Sequence, residues 1–130
     1  MTKNDLEETL NQVKDAANVL YAELGGGYLE GIYEEAMVIE LRERKIPYEV
    51  ERNREIFYKG IKVGTHRLDF IINGSLVVEL KAGTGITKSH EGQTTAYLKA
   101  TGLKNGLIIN FSYPEKEESD YNPVSLGKSF

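Results

Sequence analysis

Apolar residues recur at helical spacing from the start of the chain. In NDLEETLNQVKDAANVLYAEL, Leu6, Leu10, Val13, Ala17, Leu20 and Leu24 stand three or four apart, which predicts an amphipathic helix. Asn4 or Asp5 is its expected N-cap. Gly25-Gly26-Gly27 then interrupts the pattern. A second helix is predicted over residues 28–44, with Pro47 marking its end. From Tyr48 the period shortens to two. YEVERN and REIFYKG alternate as strands, and a hairpin turn is expected around Gly60. THRLDFII and SLVVELKA predict two more strands joined at Asn73-Gly74. TKSHEGQTTAYLKATG returns to helix, with Thr87 as its cap and Gly102 as its stop. NGLIINF is apolar enough to be a central strand buried on both faces. After Pro114 no strong pattern stands out. The order is a leading helix followed by α-β-β-β-α-β, an α/β chain with helices packed on a mixed sheet.

The strand LVVELKAG carries Glu79 and Lys81 two residues apart, and so on one face. A two-residue turn at Asn73-Gly74 would pair Leu68 with Glu79 and mix apolar with charged positions. A three-residue loop, Asn73-Gly74-Ser75, pairs Ile72 with Leu76 instead. Leu68, Phe70 and Ile72 then share a face with Leu76, Val78 and Leu80. The opposite face carries Arg67, Asp69, Ile71, Val77, Glu79 and Lys81. A slip of one residue would scramble both faces, so burial selects this register. It sets Asp69 across from Glu79, two carboxylates that repel unless something compensates them. Lys81 and Arg67 can do so as a salt-bridge network. A divalent cation held by hard oxygen ligands can do so equally.

The helices bring further polar residues into question. Glu30 and Glu34 lie four apart, in the sector of Met37, Val38 and Leu41, whereas Glu35 falls near Arg42. Acids at the margin of an apolar stripe either snorkel to solvent or complete a metal site. Gln93 and Tyr97 are also four apart. The amide can orient a water, and the ring can stack or hold a phosphate through its hydroxyl. Alternatively, Tyr97 and Leu98 are ordinary core residues.

Composition narrows the field. The 130 residues include no cysteine, which excludes disulfides, thiolate metal sites and a cysteine nucleophile, and fits a reducing, cytoplasmic setting. No apolar run approaches a membrane span, and the polar, acidic N-terminus is no secretory signal. The net charge of -4 counts against a protein that merely coats nucleic acid. It counts less against an enzyme whose acidic site is partly neutralised by metal.

The ordered set of Asp69, Glu79-x-Lys81 and the α-β-β-β-α-β succession resembles the PD-(D/E)XK nuclease superfamily. GYLEGIY, residues 27–33, matches the GxxExxY signature of a small bacterial group within it. RLDFIINGSLVVELKA and AYLKATGLKNGLIINF are similar to that group too. Gln93 to Tyr97 matches the QxxxY element of the RecB-like branch. The resemblance spans roughly residues 5–111. Leu68 stands where the motif has its leading proline, and the tail from Tyr113 lacks the strand-like ending of the group.

The resemblance implies a restriction-endonuclease-like core with an extra N-terminal helix. It implies a single nuclease-like domain over residues 1–113 and a tail of uncertain structure over 114–130. It also implies a metal-dependent nuclease that hydrolyses phosphodiester bonds, in DNA ahead of RNA. Asp69, Glu79 and a helix acid would bind Mg²⁺ or Mn²⁺, with Glu34 preferred and Glu30 the second choice. Lys81 would position the attacking water or stabilise charge on phosphorus. Gln93 would line the site, and Tyr97, Glu30 and Lys88 would contact substrate. A homodimer is an expectation, since so small a site would grip a duplex poorly by itself. The alternative is a catalytically silent nuclease-fold module that binds nucleic acid or a protein partner.

Overall fold

The computed structural model describes residues 2–126 apart from 52–53 and 67–68; the side chains of Arg54, Thr65, His66 and Asp69 also lie outside the description. Helix α1 (Lys3–Leu24) begins two or three residues earlier than Asn4 or Asp5 would place it. Its cap is Thr2, whose hydroxyl accepts from the Asp5 amide at 3.1 Å, while the Asp5 carboxylate accepts from the Thr2 amide at 3.2 Å. Asp5 sits at the third helical position and closes a reciprocal capping box, so it cannot also be the cap. The helix buries Leu6, Val13, Ala17 and Leu20 from the predicted stripe, and Ala16 and Tyr21 besides.

Helix α2 (Glu30–Glu43) follows the glycine turn and buries Tyr33, Met37 and Leu41. The turn is tightly built. A Cβ on Gly26 would stand 2.4 Å from the Ser112 carbonyl oxygen, so only glycine fits without a shift. The Tyr33 hydroxyl donates to the Gly25 carbonyl at 2.7 Å, and its ring stacks on Phe111 at 4.4 Å. Burial raises the Tyr33 pKa above its ordinary value.

Seven strands and a third helix complete the described order: β1 (Tyr48–Glu51), β2 (Arg54–Tyr58), β3 (Ile61–His66), β4 (Asp69–Ile72), β5 (Leu76–Lys81), α3 (Lys88–Thr101), β6 (Asn105–Asn110) and β7 (Asp120–Ser125). Five strands form one sheet in the order β1-β4-β5-β6-β7. Only β5 and β6 run parallel in it, and the other neighbours are antiparallel. Among the described residues, strands β2 and β3 pair with each other, in the same register as the Glu51–Asp69 pair of β1 and β4. This is the restriction-endonuclease-like α/β arrangement.

The tail after Pro114 departs from expectation, and the strands before β5 are described in pieces. Of THRLDFII, Thr65 and His66 belong to β3 and Asp69 to Ile72 to β4, while the Arg67-Leu68 step between them lies outside the described residues. The Lys59-Gly60 turn folds β3 back on β2, the hairpin expected around Gly60. Residues 120–125, expected to be part of a patternless tail, form the edge strand β7 on β6. DYNPVS has little apolar alternation and carries Pro123, tolerated because an edge strand needs few inward donors. Its strand state comes from the hydrogen-bonding edge that β6 offers. NGLIINF is accordingly an interior strand, though not the last one.

The β4–β5 hairpin has the register expected from burial. Ile72 pairs with Leu76 and Phe70 with Val78, around a loop in which Asn73 and Gly74 have φ of 52° and 70°. The Asn73 side-chain amide donates to the Thr9 hydroxyl at 2.9 Å and ties the loop to α1. One sheet face, with Phe70, Ile72, Leu76, Val78, Leu80, Leu107 and Ile109, packs against α1 and α2. On the other face Val77 packs with Tyr97 and Leu98 of α3.

Candidate active site

Alternation along β5 puts Glu79 and Lys81 on the side of Val77, beneath α3. Glu79 is only 2% exposed. A carboxylate there sits in an environment that penalises its charge unless cations or donors surround it. The Lys81 ammonium stands 4.0 Å from Glu79 Oε2, at the outer limit of an ion pair, and its side chain is 21% exposed. Lys81 thus bridges the buried acid and the solvent at the end of the strand.

The backbone beyond Lys81 is held from β6. Asn110 is fully buried. Its amide oxygen accepts from the Gly83 amide at 3.0 Å, and its amide nitrogen donates to the Gly83 carbonyl at 3.0 Å and to Asp120 Oδ2 at 2.9 Å. The Phe111 amide adds a bond to the Lys81 carbonyl at 2.8 Å. Burial acts to raise the Asp120 carboxyl, but the hydrogen bonds from Lys116 and Asn110 and the Lys116 charge outweigh it, and the pKa is lowered. β7 therefore braces the loop that leaves the Glu-x-Lys strand. The residues after Pro114 carry no local pattern that would announce this brace.

Asp69 opens β4, and its backbone pairs with Glu51 of β1. Its side chain, its expected opposition to Glu79, and Arg67 all lie outside the described residues. Among the described residues, no three His, Asp or Glu side chains cluster as a metal site. The donor chemistry fits a hard divalent cation: carboxylates with an adjacent ammonium and no sulfur ligand. Glu30 is the first residue of α2, and Glu34 lies one turn further. Both are half-buried, and Glu35 is exposed, as its position by Arg42 predicts. α2 packs on the sheet face opposite Val77.

On α3, Thr87 caps the helix by accepting from the His90 amide at 3.2 Å, and Gly102 ends it in the left-handed conformation, as expected. Lys88, at the first turn, is exposed. Gln93 is exposed and Tyr97 is buried. Both line a groove of about 370 Å³ between α3 and β2, together with Glu55, Ile56, Phe57, Ala96 and Ala100. The core reading of Tyr97 and Leu98 holds, and Tyr97 also borders this groove. Glu49 and Glu51 of β1 border a second cleft, with Ile71, Thr101 and Leu103. The sequence reading passed over this acid pair. The alternation in Tyr48-Glu49-Val50-Glu51 marks it, but only the β1–β4 pairing brings Glu51 beside Asp69.

A mixed sheet of this order, with Glu-x-Lys at the end of its middle strand, defines the restriction-endonuclease-like class. A family model described as the PD-(D/E)XK nuclease superfamily matches residues 7–121, and the chain belongs to that superfamily. Membership suggests a hydrolase acting on nucleic acid, and nucleases of this superfamily typically use divalent metals. No curated protein matches the chain. Among solved structures, the crystal structure of SSO0001 is similar, with 17% identity over 93% of this chain and 67% of that chain and a TM-score of 0.44. Among the described residues, no helix is long and apolar enough to cross a membrane.

Proposed function

We propose that this chain is a Mg²⁺- or Mn²⁺-dependent nuclease that hydrolyses phosphodiester bonds in DNA. The observation that carries this is the buried Glu79 with Lys81 beside it at 4.0 Å, on the β5 strand of a superfamily member. Asp69, Glu79 and an α2 acid, Glu34 before Glu30, are the residues to hold the metal. When bound, a divalent ion supplies Lewis acidity at the phosphate and lowers the pKa of water. Lys81 orients the attacking water and offsets the charge that develops on the phosphoryl oxygens. Gln93 holds a water or phosphate oxygen through its amide, and Tyr97 and Lys88 contact the strand being cut. Gly27, Glu30 and Tyr33 support a place in the GxxExxY group. A homodimer would let two such sites address the two strands of a duplex.

The test is cleavage of single-stranded, duplex, flapped and junction DNA, and of RNA, with Mg²⁺, Mn²⁺ or EDTA. Lys81→Ala is expected to lower the rate by about 10²–10³-fold, the usual effect of losing one electrostatic stabiliser. Cutting by Lys81→Ala at the wild-type rate would refute the reading. The second reading is a silent module of the same fold. It is favoured by the net charge of -4, which gives no overall attraction to a polyanion. It requires that neither Mg²⁺ nor Mn²⁺ binds at millimolar concentration in calorimetry.

A further inference from the structure

The β2–β3 hairpin is the part of the molecule that the core does not explain. Among the described residues, its two strands pair with each other. Its turn has Lys59 and Gly60 at φ of 50° and 78°, the conformation of a tight two-residue hairpin, with Tyr58 opposite Ile61. A register shift between Ile56 and Phe57 leaves Val63 unpaired and twists the ribbon. Both faces carry exposed apolar groups: Phe57 is 57% and Tyr58 63% exposed, with Ile56, Ile61 and Val63 alongside. Apolar exposure on this scale marks a binding surface.

Charge and position say what binds there. The segment 54–66 holds three cations, Arg54, Lys59 and Lys62, against one acid, Glu55, a net +2 on a chain of net charge -4. The basic segment is also the aromatic one. The Lys59 ammonium lies 5.4 Å from the centre of the Tyr58 ring. Rings interleaved with lysines suit a polyanion that carries flat, unpaired aromatic faces, which describes single-stranded nucleic acid. In a duplex those faces are already stacked on one another. The hairpin is also continuous with the candidate site. β3 leads into β4, which opens at Asp69, and Ile56 and Phe57 form one wall of the groove whose other wall holds Gln93 and Tyr97.

We infer that the β2–β3 hairpin is a stacking arm that holds unpaired bases of a nucleic-acid strand, through Phe57 and Tyr58, beside the Glu79–Lys81 site. The inference rests on the nuclease reading for its substrate class. It adds a preference for single-stranded or locally opened substrate. Lys59 supplies a phosphate contact, Lys62 is paired with Glu55 at 3.4 Å, and the groove against α3 receives a base next to the strand being cut.

The experiment is fluorescence anisotropy of the full chain with a labelled 15-nucleotide oligothymidylate and with the same strand in duplex, both in EDTA so that nothing is cut. The single strand is expected to bind more tightly than the duplex. Phe57→Leu and Tyr58→Leu are each expected to weaken single-strand binding roughly tenfold, within the usual range for one base–aromatic stack. Phe57→Trp should retain it, because leucine keeps the apolar area and loses the π-face, whereas tryptophan keeps both. Both positions are exposed, so the variants leave the core untouched, and circular dichroism checks this. Three results would each overturn the arm: no single-strand binding by wild type, leucine variants that bind as wild type does, or an equal loss on single strand and duplex. A dimer that dissociates in Phe57→Leu while each protomer keeps its single-strand affinity would also overturn it, making the hairpin a subunit contact. The assay involves no turnover, so it separates from the nuclease reading. Arm-dependent binding together with wild-type cutting by Lys81→Ala would sink only the catalytic assignment.

Discussion

Tyr121 shows how one side chain can set a pH limit. It lies on β7, and its hydroxyl proton is shared between the Lys14 carbonyl, at 3.2 Å, and the Asn18 side-chain oxygen. Burial pushes its pKa up to about 12, partly offset by a bond with Ser119 and aided by the charges of Glu118 and Asp15. The folded state therefore holds this proton more tightly than the unfolded chain does. The resulting stability is present in full below the unfolded value of about 10 and is lost as pH rises through the folded value. Urea titrations at pH 8, 10 and 11 should show a loss on the alkaline side that Tyr121→Phe lacks. At pH 8 that variant should itself be less stable by about 1 kcal/mol for its lost hydrogen bonds. A variant with the same alkaline fall as wild type would show that Tyr121 is not the group responsible. Lys81 is the residue-scale counterpart for activity: it was legible as Glu-x-Lys in a strand, and its predicted loss of rate follows from the 4.0 Å separation from a buried acid.

At the scale of elements, the closeness of α3 to the sheet depends on a missing side chain. A Cβ on Gly106 of β6 would stand 2.9 Å from Thr94 Cγ2 and 3.5 Å from the Val77 carbonyl oxygen. Thr94 is fully buried and cannot swing out to solvent. Gly106→Ala should push α3 off the sheet and destabilise the fold by about 1–3 kcal/mol, as overpacking of a filled core does. The urea midpoint measures it, and Thr94→Ser in the same chain should restore part of the loss by removing the methyl that clashes. Because α3 carries Gln93 and Tyr97, the displacement should also reduce cleavage. The period-2 and helical patterns predicted both elements, and burial alone predicted the β4–β5 register. The spacing between α3 and β6 was not legible, since a glycine in an apolar run reads only as a weak strand position.

For the molecule as a whole, metal binding and stability are linked. A cation that binds only the folded chain stabilises it by about 1.4 kcal/mol at ten times its dissociation constant. Adding Mg²⁺ or Mn²⁺ should raise the melting temperature of wild type. Glu79→Gln, of nearly the same shape, should abolish that rise, and a variant that keeps it would remove Glu79 from the ligand set. The net charge of -4 gives the same expectation, because a divalent ion relieves repulsion in an acidic site.

Periodicity by itself determined the three helices, the interior strands, the stop at Gly102 and the strand that bears Glu79 and Lys81, because burying one apolar face needs a repeat that a linear chain displays. The hairpin register followed from the same requirement, since only one pairing keeps Ile72, Leu76, Phe70 and Val78 together. Tertiary structure decided what no local pattern encodes. It made residues 120–125 an edge strand because β6 had an open row of hydrogen-bonding groups. It brought Asn110 and Asp120 to the loop behind Lys81, and Glu51 to Asp69, across long stretches of chain. It also left Phe57 and Tyr58 of the β2–β3 hairpin in solvent. A strand's alternation states which residues share a face, but what that face meets depends on where the rest of the chain is packed.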